Sequence, residues 1–449
     1  MKQTFSLRHK IIEFLRVMLP ILISQVAVIA ANFFNMVMAG HLSDEDLAGV
    51  AFGVNLYLPF FTSLMGVVSA LTPIIARYYG AGKYQNIGYE TGQGIYWSFL
   101  LAVMFVIMGY IFVPVILPLL SLAPMVEQVT KDYLFYCSFG VPIFFVFVAL
   151  KNLIDAHGKT RLTMAITLTT VPINIFLNYV FMYGAFGMES YGGAGAGIGT
   201  AITYCIAFLI AAAIVLFMTP FSSYKIFRMM PKPAFHIWKN HLKLGLPIGG
   251  AIFCENSIFG AVGVLMTVYG TTVMAAHQVT MNFTTLIYMT PLSVSFALAI
   301  LVGYEVGAKR FDDAKTYITI GRVWAVVFIA VITAFAFHFR EEISEVYTSS
   351  PKILEILPMF LLYGAFMQVA DSINAPIQGA LRGYKDVNVA FFLSLVSYWI
   401  IGLPFGLFLA NYTDFSYYGF WVGLIVGVAI GAIFLTLRLK KVQKSIVSS

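Results

Sequence analysis

This 449-residue chain is poor in charge. Asp, Glu, Lys and Arg together make up 10% of it, against 60% hydrophobic residues. So few ionised groups cannot cover so much apolar surface in water, which excludes a soluble fold and predicts a many-pass membrane protein. Cysteine is nearly missing: Cys137, Cys205 and Cys254 all lie inside apolar runs. That argues against a disulfide framework and against a cysteine metal cluster. The opening MKQTFSLRHK lacks a small-residue cleavage site after its first apolar run, so the run from Leu19 is expected to remain as a membrane helix.

What is present is apolar length. Twelve stretches of about 20 residues or more can each cross a hydrocarbon core: 14–38, 51–76, 94–118, 133–154, 162–184, 194–218, 243–268, 274–302, 316–338, 353–380, 388–410 and 417–437. Assigned to alternating sides, the segments between them put all but Lys131, Arg340 and Lys352 of the 27 Lys and Arg on the side of the two termini. The positive-inside bias then places both termini in the cytoplasm. The net charge of +7 therefore reads as a membrane-facing bias toward anionic headgroups, not as a nucleic-acid surface.

The chain repeats itself at an offset of 227. Leu19-Pro20 matches Leu246-Pro247, Asn55 matches Asn282, and Ala70-Leu71 matches Ala297-Leu298. Gly80-Ala81 with Lys83 matches Gly307-Ala308 with Arg310, and Gly94 matches Gly321. Each half has an even number of spans, so both enter from the same side as a parallel repeat. The expected fold is an all-α polytopic membrane protein with twelve transmembrane helices in two parallel-repeat six-helix lobes around a central cavity. The expected domains are an N-terminal lobe 1–218, a cytoplasmic linker 219–242 and a C-terminal lobe 243–449. The glycine-rich stretch from Gly192 to Gly199 has no Lys-Ser/Thr after it and no strand before it, so it reads as close helix packing and not as a phosphate loop.

Two acids stand alone in apolar spans of the second half, Glu255 and Asp371. A carboxylate at membrane depth is expensive and usually handles an ion, a proton or a substrate. If the two converge, one must hold a proton or a cation must lie between them, and either arrangement makes a coupling site. Asn256, Gln278, Asn282 and Asn374 are candidate polar support; Gln278 and Asn282 share a helical face. In the first half Gln25, Asn32, Asn35, Asn55, Asn174 and Asn178 can line a cavity without carrying a coupling charge. His277 reads as structural, and Asp155, among bases, as an ordinary ion pair. Glu255 and Asp371 would be the metal ligands if the ion is sodium. No nucleophile or metal cluster accompanies them, so no enzyme is expected.

The chain resembles the multidrug and toxic compound extrusion transporters. The marks are Val37-Met38-Ala39-Gly40, Pro73 to Gly82 (PIIARYYGAG) and Gln378-Gly379-Ala380-Leu381-Arg382-Gly383. The resemblance implies export of lipophilic, often cationic organic compounds in exchange for inward sodium ions or protons, with no other cofactor. It also implies a bacterial cell membrane location. Small organic substrates and membrane lipid are the expected partners, nucleic acid is not, and a monomer is expected. Glu255 and Asp371 fall where one branch carries paired acids in its second lobe. Asn35 stands where many bacterial relatives carry aspartate, and an amide cannot exchange a proton there. A flippase of a lipid-linked cell-envelope precursor is the alternative reading.

Overall fold

A computed structural model of the chain describes residues 3–228 and 230–447. Among the described residues there is no strand. The long helices, in order, are α1 Leu7–Gly40, α2 Asp44–Gly80, α3 Tyr84–Leu119, α4 in two arms (Pro124–Ser138 and Val141–Ala156), α5 Thr160–Tyr183 and α6 Gly195–Phe217. There follow α7 Phe235–Met266, α8 Thr271–Gly307, α9 Phe311–His338, α10 Leu357–Tyr384, α11 Asn388–Tyr412 and α12 Tyr418–Val447. Ten of these are long and apolar enough to cross a membrane alone, and α4, bent by 49° between its arms, makes an eleventh. The twelfth, α10, qualifies by length: its 28 residues reach about 42 Å at the helical rise. Its hydropathy is lowered by Gln368, Asp371, Asn374, Gln378 and Arg382, the polar side chains that make it interesting.

The chain divides into two compact units. One is Ile23–Gly245; the other takes the chain up to Leu22 and from Leu246 onward. The borders therefore differ from the expected 218/219 and 242/243 cuts. The opening turns of α1 pack with the 246–449 unit because Phe14, Val17 and Met18 are buried in one core with Leu298, Leu301 and Leu381. Polar contacts hold the same end there: Lys10 Nζ lies 2.8 Å from Asp313 Oδ1 and Thr4 Oγ1 lies 3.0 Å from the Tyr317 hydroxyl. The segment expected as a linker belongs to the 23–245 unit. Gln93 on α3 donates to the Lys232 carbonyl (2.7 Å) and accepts from Ala234 N (2.9 Å) and Trp238 Nε1 (2.7 Å). His241 lies between Glu90 Oε2 (2.5 Å) and the Trp97 indole N–H (2.9 Å).

The repeat is written into the packing. A Cβ on Gly94 would strike the Leu71 side chain, and a Cβ on Gly321 would strike that of Leu298; both pairs are 227 positions apart. The same offset relates the end of α2 at Gly80 to the end of α8 at Gly307, and the start of α3 at Tyr84 to that of α9 at Phe311. Within the second unit α8 is the central element, with 72% of its most apolar window buried against 11% for α3 in the other unit. The α10 helix lies along it, with Gly379 against the Ser295 backbone and Gly383 against Val302. Missing side chains let the two backbones approach closely.

Outside the spans, His157 caps the second arm of α4. Its Nδ1–H donates to the Leu153 carbonyl (2.8 Å) and its Nε2 accepts from the Tyr224 hydroxyl (2.7 Å), which assigns the neutral ring. Burial pushes its pKa down to about 4. The folded state then binds fewer protons than the unfolded one between pH 6.5 and 4, so stability is complete above pH 6.5 and is lost as pH falls toward 4. The loss is about 3 kcal/mol. Detergent-solubilised protein should show this as a falling melting midpoint on acidification, and His157→Gln should flatten that limb. An unchanged limb would show that His157 does not carry it.

Candidate functional site

The two lone acids of the second unit come together. Glu255 is half-buried on α7 and Asp371, 3% exposed, sits on α10; the two carboxyls interact electrostatically. Two aromatic hydroxyls close the cluster. Tyr288 on α8 is the side-chain hydrogen-bond partner of Glu255, its hydroxyl donating, and it also feels the Asp371 charge. Tyr398 on α11 faces both carboxyls and accepts a 2.6 Å hydrogen bond from Asn374 Nδ2.

Local geometry explains why these groups meet. Asp371 and Asn374 are three apart on α10 and share a face. Residues Val396–Gly402 of α11 form a π-helical stretch, and such a widened turn re-aims the side chains it carries. It points Tyr398 at Asn374 and Trp399 at the Cys254 carbonyl, which accepts from the indole N–H at 3.2 Å. The donated amide leaves Asn374 Oδ1 without a partner although the residue is 2% exposed. A buried carbonyl oxygen with no donor is costly unless something electropositive arrives.

The predicted support residues divide. Asn374 joins the cluster, and Asn256 is partly buried beside Glu255 on α7. Gln278 and Asn282 do share a face, but it is exposed, and Asn282 Oδ1 accepts from the Tyr347 hydroxyl (3.4 Å) instead. His277 is buried against the Trp421 ring, 5.6 Å between centroids. Tyr288, Tyr398 and Arg382 were not singled out for this site by the sequence. Tyr288 and Tyr398 are two of 25 tyrosines with no spacing to mark them. Arg382 falls in the last turn of α10, where a base is an ordinary helix-end charge.

The 23–245 unit holds an amide network instead. Asn178 Nδ2 donates to Asn35 Oδ1 (2.6 Å) and to Asn174 Oδ1 (3.3 Å), and Asn174 Nδ2 donates to Thr203 Oγ1 (3.2 Å). Asn178 Oδ1 is buried without a partner. Gln25 is half-buried, Asn32 and Asn55 are exposed, and none of the three joins this network. Asp155 pairs with Lys151 (2.8 Å) and accepts from Thr163 (2.6 Å), a local structural arrangement within this unit.

Among the described residues no group of three His, Cys, Asp or Glu is placed to hold a metal ion. What the acid cluster offers is oxygen: two carboxyls, the unpaired Asn374 carbonyl and two phenolic hydroxyls. That donor set fits a hard monovalent cation and does not fit zinc or copper.

The MatE family pattern matches residues 20–180 and again 247–408, one match per repeat. The chain is 46% identical over 444 residues to a probable multidrug resistance protein NorM of Bacillus subtilis, covering 99% of this chain and 98% of that one. It is 45% identical over 445 residues to the protein of the same name from Oceanobacillus iheyensis, covering 99% of each. Among solved structures it resembles a point mutant of the Vibrio cholerae MATE transporter VcmN, with TM-score 0.90, 19% identity and 98% of both chains covered. A eukaryotic MATE transporter, AtDTX14, matches with TM-score 0.87, 19% identity and the same coverage.

Proposed function

The chain belongs to the MATE family of membrane transporters, and from that premise we propose that it is a secondary antiporter exporting lipophilic, often cationic organic compounds in exchange for inward-moving sodium ions. It is a transporter and not an enzyme. The observation that carries the ion assignment is the unpaired, buried Asn374 Oδ1, on a residue that lies one turn from Asp371 on α10 and is bonded to the Tyr398 that faces both acids. A proton needs a single carboxylate; an oxygen with no donor calls for a cation that several oxygens share. Sodium here is cargo. Its binding relieves the repulsion between the acids and satisfies Asn374 in one event, so the ion-loaded site differs in free energy from the empty one. That difference is what a coupling ion must supply to shift a two-state transporter.

The drug-export part of the reading is supported by the relatives' multidrug resistance names and by a chain rich in aromatic side chains and methionine, 41 Phe, 25 Tyr and 20 Met, which suit contact with flat or cationic organic compounds. Those names favour drug export over the flippase alternative. The transporter acts as a monomer in a cell membrane with both termini cytoplasmic, and its two repeats supply alternating access.

The test is efflux of a fluorescent lipophilic cation from reconstituted vesicles under separately imposed sodium and proton gradients. Drive by the sodium gradient alone is expected. Drive by the proton gradient alone would overturn the sodium assignment, and dependence on ATP would overturn secondary transport.

A further inference from the structure

Arg382 is a buried cation without a carboxylate to pair with. It is 8% exposed. The ion pairs among the described residues do not include it. Guanidinium does not give up its proton in a protein, so the charge persists however deep it lies. The charged side chain lines a cavity of about 10 Å³, room for one water, between residues of α7, α10 and α11. Gln378 and Ser394 are its polar neighbours there, with Ala251 and Phe391 among the apolar walls.

The cavity adjoins the acid pair. Asp371, Asn374, Gln378 and Arg382 recur at intervals of three, four and four residues, one face of α10. Ala251 and Glu255 are four apart on α7, again one face. The cavity therefore lies a helical turn or two along from the carboxyls, between the same two helices. The groups that act on Arg382 electrostatically are Tyr288 and Glu255. Glu255 is thus the nearest thing to a counter-ion that Arg382 has, and it is also a member of the proposed ion site.

We propose that Arg382 is a tethered counter-charge of the coupling site: its guanidinium competes with the incoming cation for Glu255 and so sets how tightly that cation is held. The inference rests on the sodium-site reading given above. With the site empty, Arg382 and the acid pair balance one another. When sodium binds, it takes Glu255 and leaves Arg382 to the water-sized cavity and its Gln378 and Ser394 neighbours. When sodium leaves, Arg382 again compensates the exposed negative charge. Two acids and a carbonyl with no such competitor would bind the ion more tightly and release it more slowly, so the arginine trades affinity for turnover. Arg382 is a positioning residue in this scheme; it does not ligate the ion.

The test is sodium-dependent thermal stabilisation of the full-length protein in detergent, read as the sodium concentration at half-maximal stabilisation. Arg382→Gln is expected to lower that concentration about tenfold, the effect of removing one like charge at moderate distance. Arg382→Lys, which keeps the charge, is expected to stay within about threefold of the original. A merely structural role would weaken or abolish the response and would not tighten it. If Arg382→Gln does not fold, Arg382→Met, uncharged and of similar length, gives the same comparison. Its midpoint should likewise fall about tenfold. No tightening in a folded Arg382→Gln or Arg382→Met overturns the proposal. Glu255→Gln separates the two levels. If it abolishes the sodium response while Arg382→Gln leaves affinity unchanged, only the counter-charge falls. If Glu255→Gln keeps the response intact, or the unaltered protein has none, the sodium site itself falls and this inference with it.

Discussion

Asp371→Asn and Glu255→Gln are each expected to stop ion-driven efflux while leaving the protein folded. The substitutions keep shape and hydrogen-bonding capacity but remove a negative oxygen from the site proposed to hold the coupling cation. Loss of a group that merely supports a metal ligand costs roughly 10–100-fold in affinity; loss of the ligand itself should cost at least as much. Initial efflux rates under a sodium gradient should therefore fall by about a hundredfold or more. If the two acids serve one ion, as proposed, the double variant should be little worse than either single one. Folding should survive because burying a neutral amide costs less than burying a carboxylate. Size-exclusion profiles and melting midpoints in detergent check that part. Unimpaired efflux in both single variants would remove the coupling role from these residues.

Gly379→Val should prevent the second unit from assembling. On α10 this glycine faces the backbone of Ser295 on α8, and even a Cβ would lie inside the space that Ser295 occupies. A backbone cannot step aside as the end of a flexible side chain can. Overpacking a tight contact costs about 1–3 kcal/mol, and more where neither partner can yield. The α8 and α10 helices carry Tyr288, Asp371, Asn374 and Arg382, so separating them also dismantles the acid cluster. Aggregation or a strong loss of folded material on size exclusion is the expected readout. Gly109→Val on α3 is the control: nothing lies within 4 Å of its Cβ position, and yield should be unchanged. Equal behaviour of the two variants would show that the α8–α10 approach is not limiting.

Much of this protein was legible before any coordinates. The twelve spans follow from apolar length, including α10, whose apolar run is diluted by its polar side chains. The 227-residue repeat was readable from matched pairs and returns as matched contacts, Gly94 on Leu71 and Gly321 on Leu298. Glu255 and Asp371 stood out because an acid in an oily run has no inexpensive explanation. Other features left no such trace. Gln278 and Asn282 have the right chemistry and spacing, yet their shared face is exposed. Tyr398 reaches Asn374 only because α11 widens into a π-helical stretch, and no residue pattern announced it. The first turns of α1 looked like part of the N-terminal lobe, but Lys10 and Phe14 find their partners in the other unit.

Sequence alone decided the solvent this chain is built for, the number and length of its helices, its duplication, and which two acids had to be explained. Those properties depend on composition, periodicity and the cost of charge in hydrocarbon, which act locally along a chain. Tertiary structure alone decided that Tyr288 and Tyr398 face those acids, that one amide oxygen of Asn374 is left unpaired, and that Arg382 stands about three turns along α10 from Asp371 without a carboxylate of its own. Residues up to 143 positions apart, Glu255 and Tyr398, meet there, and only the packing of α7, α8, α10 and α11 determines which faces they present to one another.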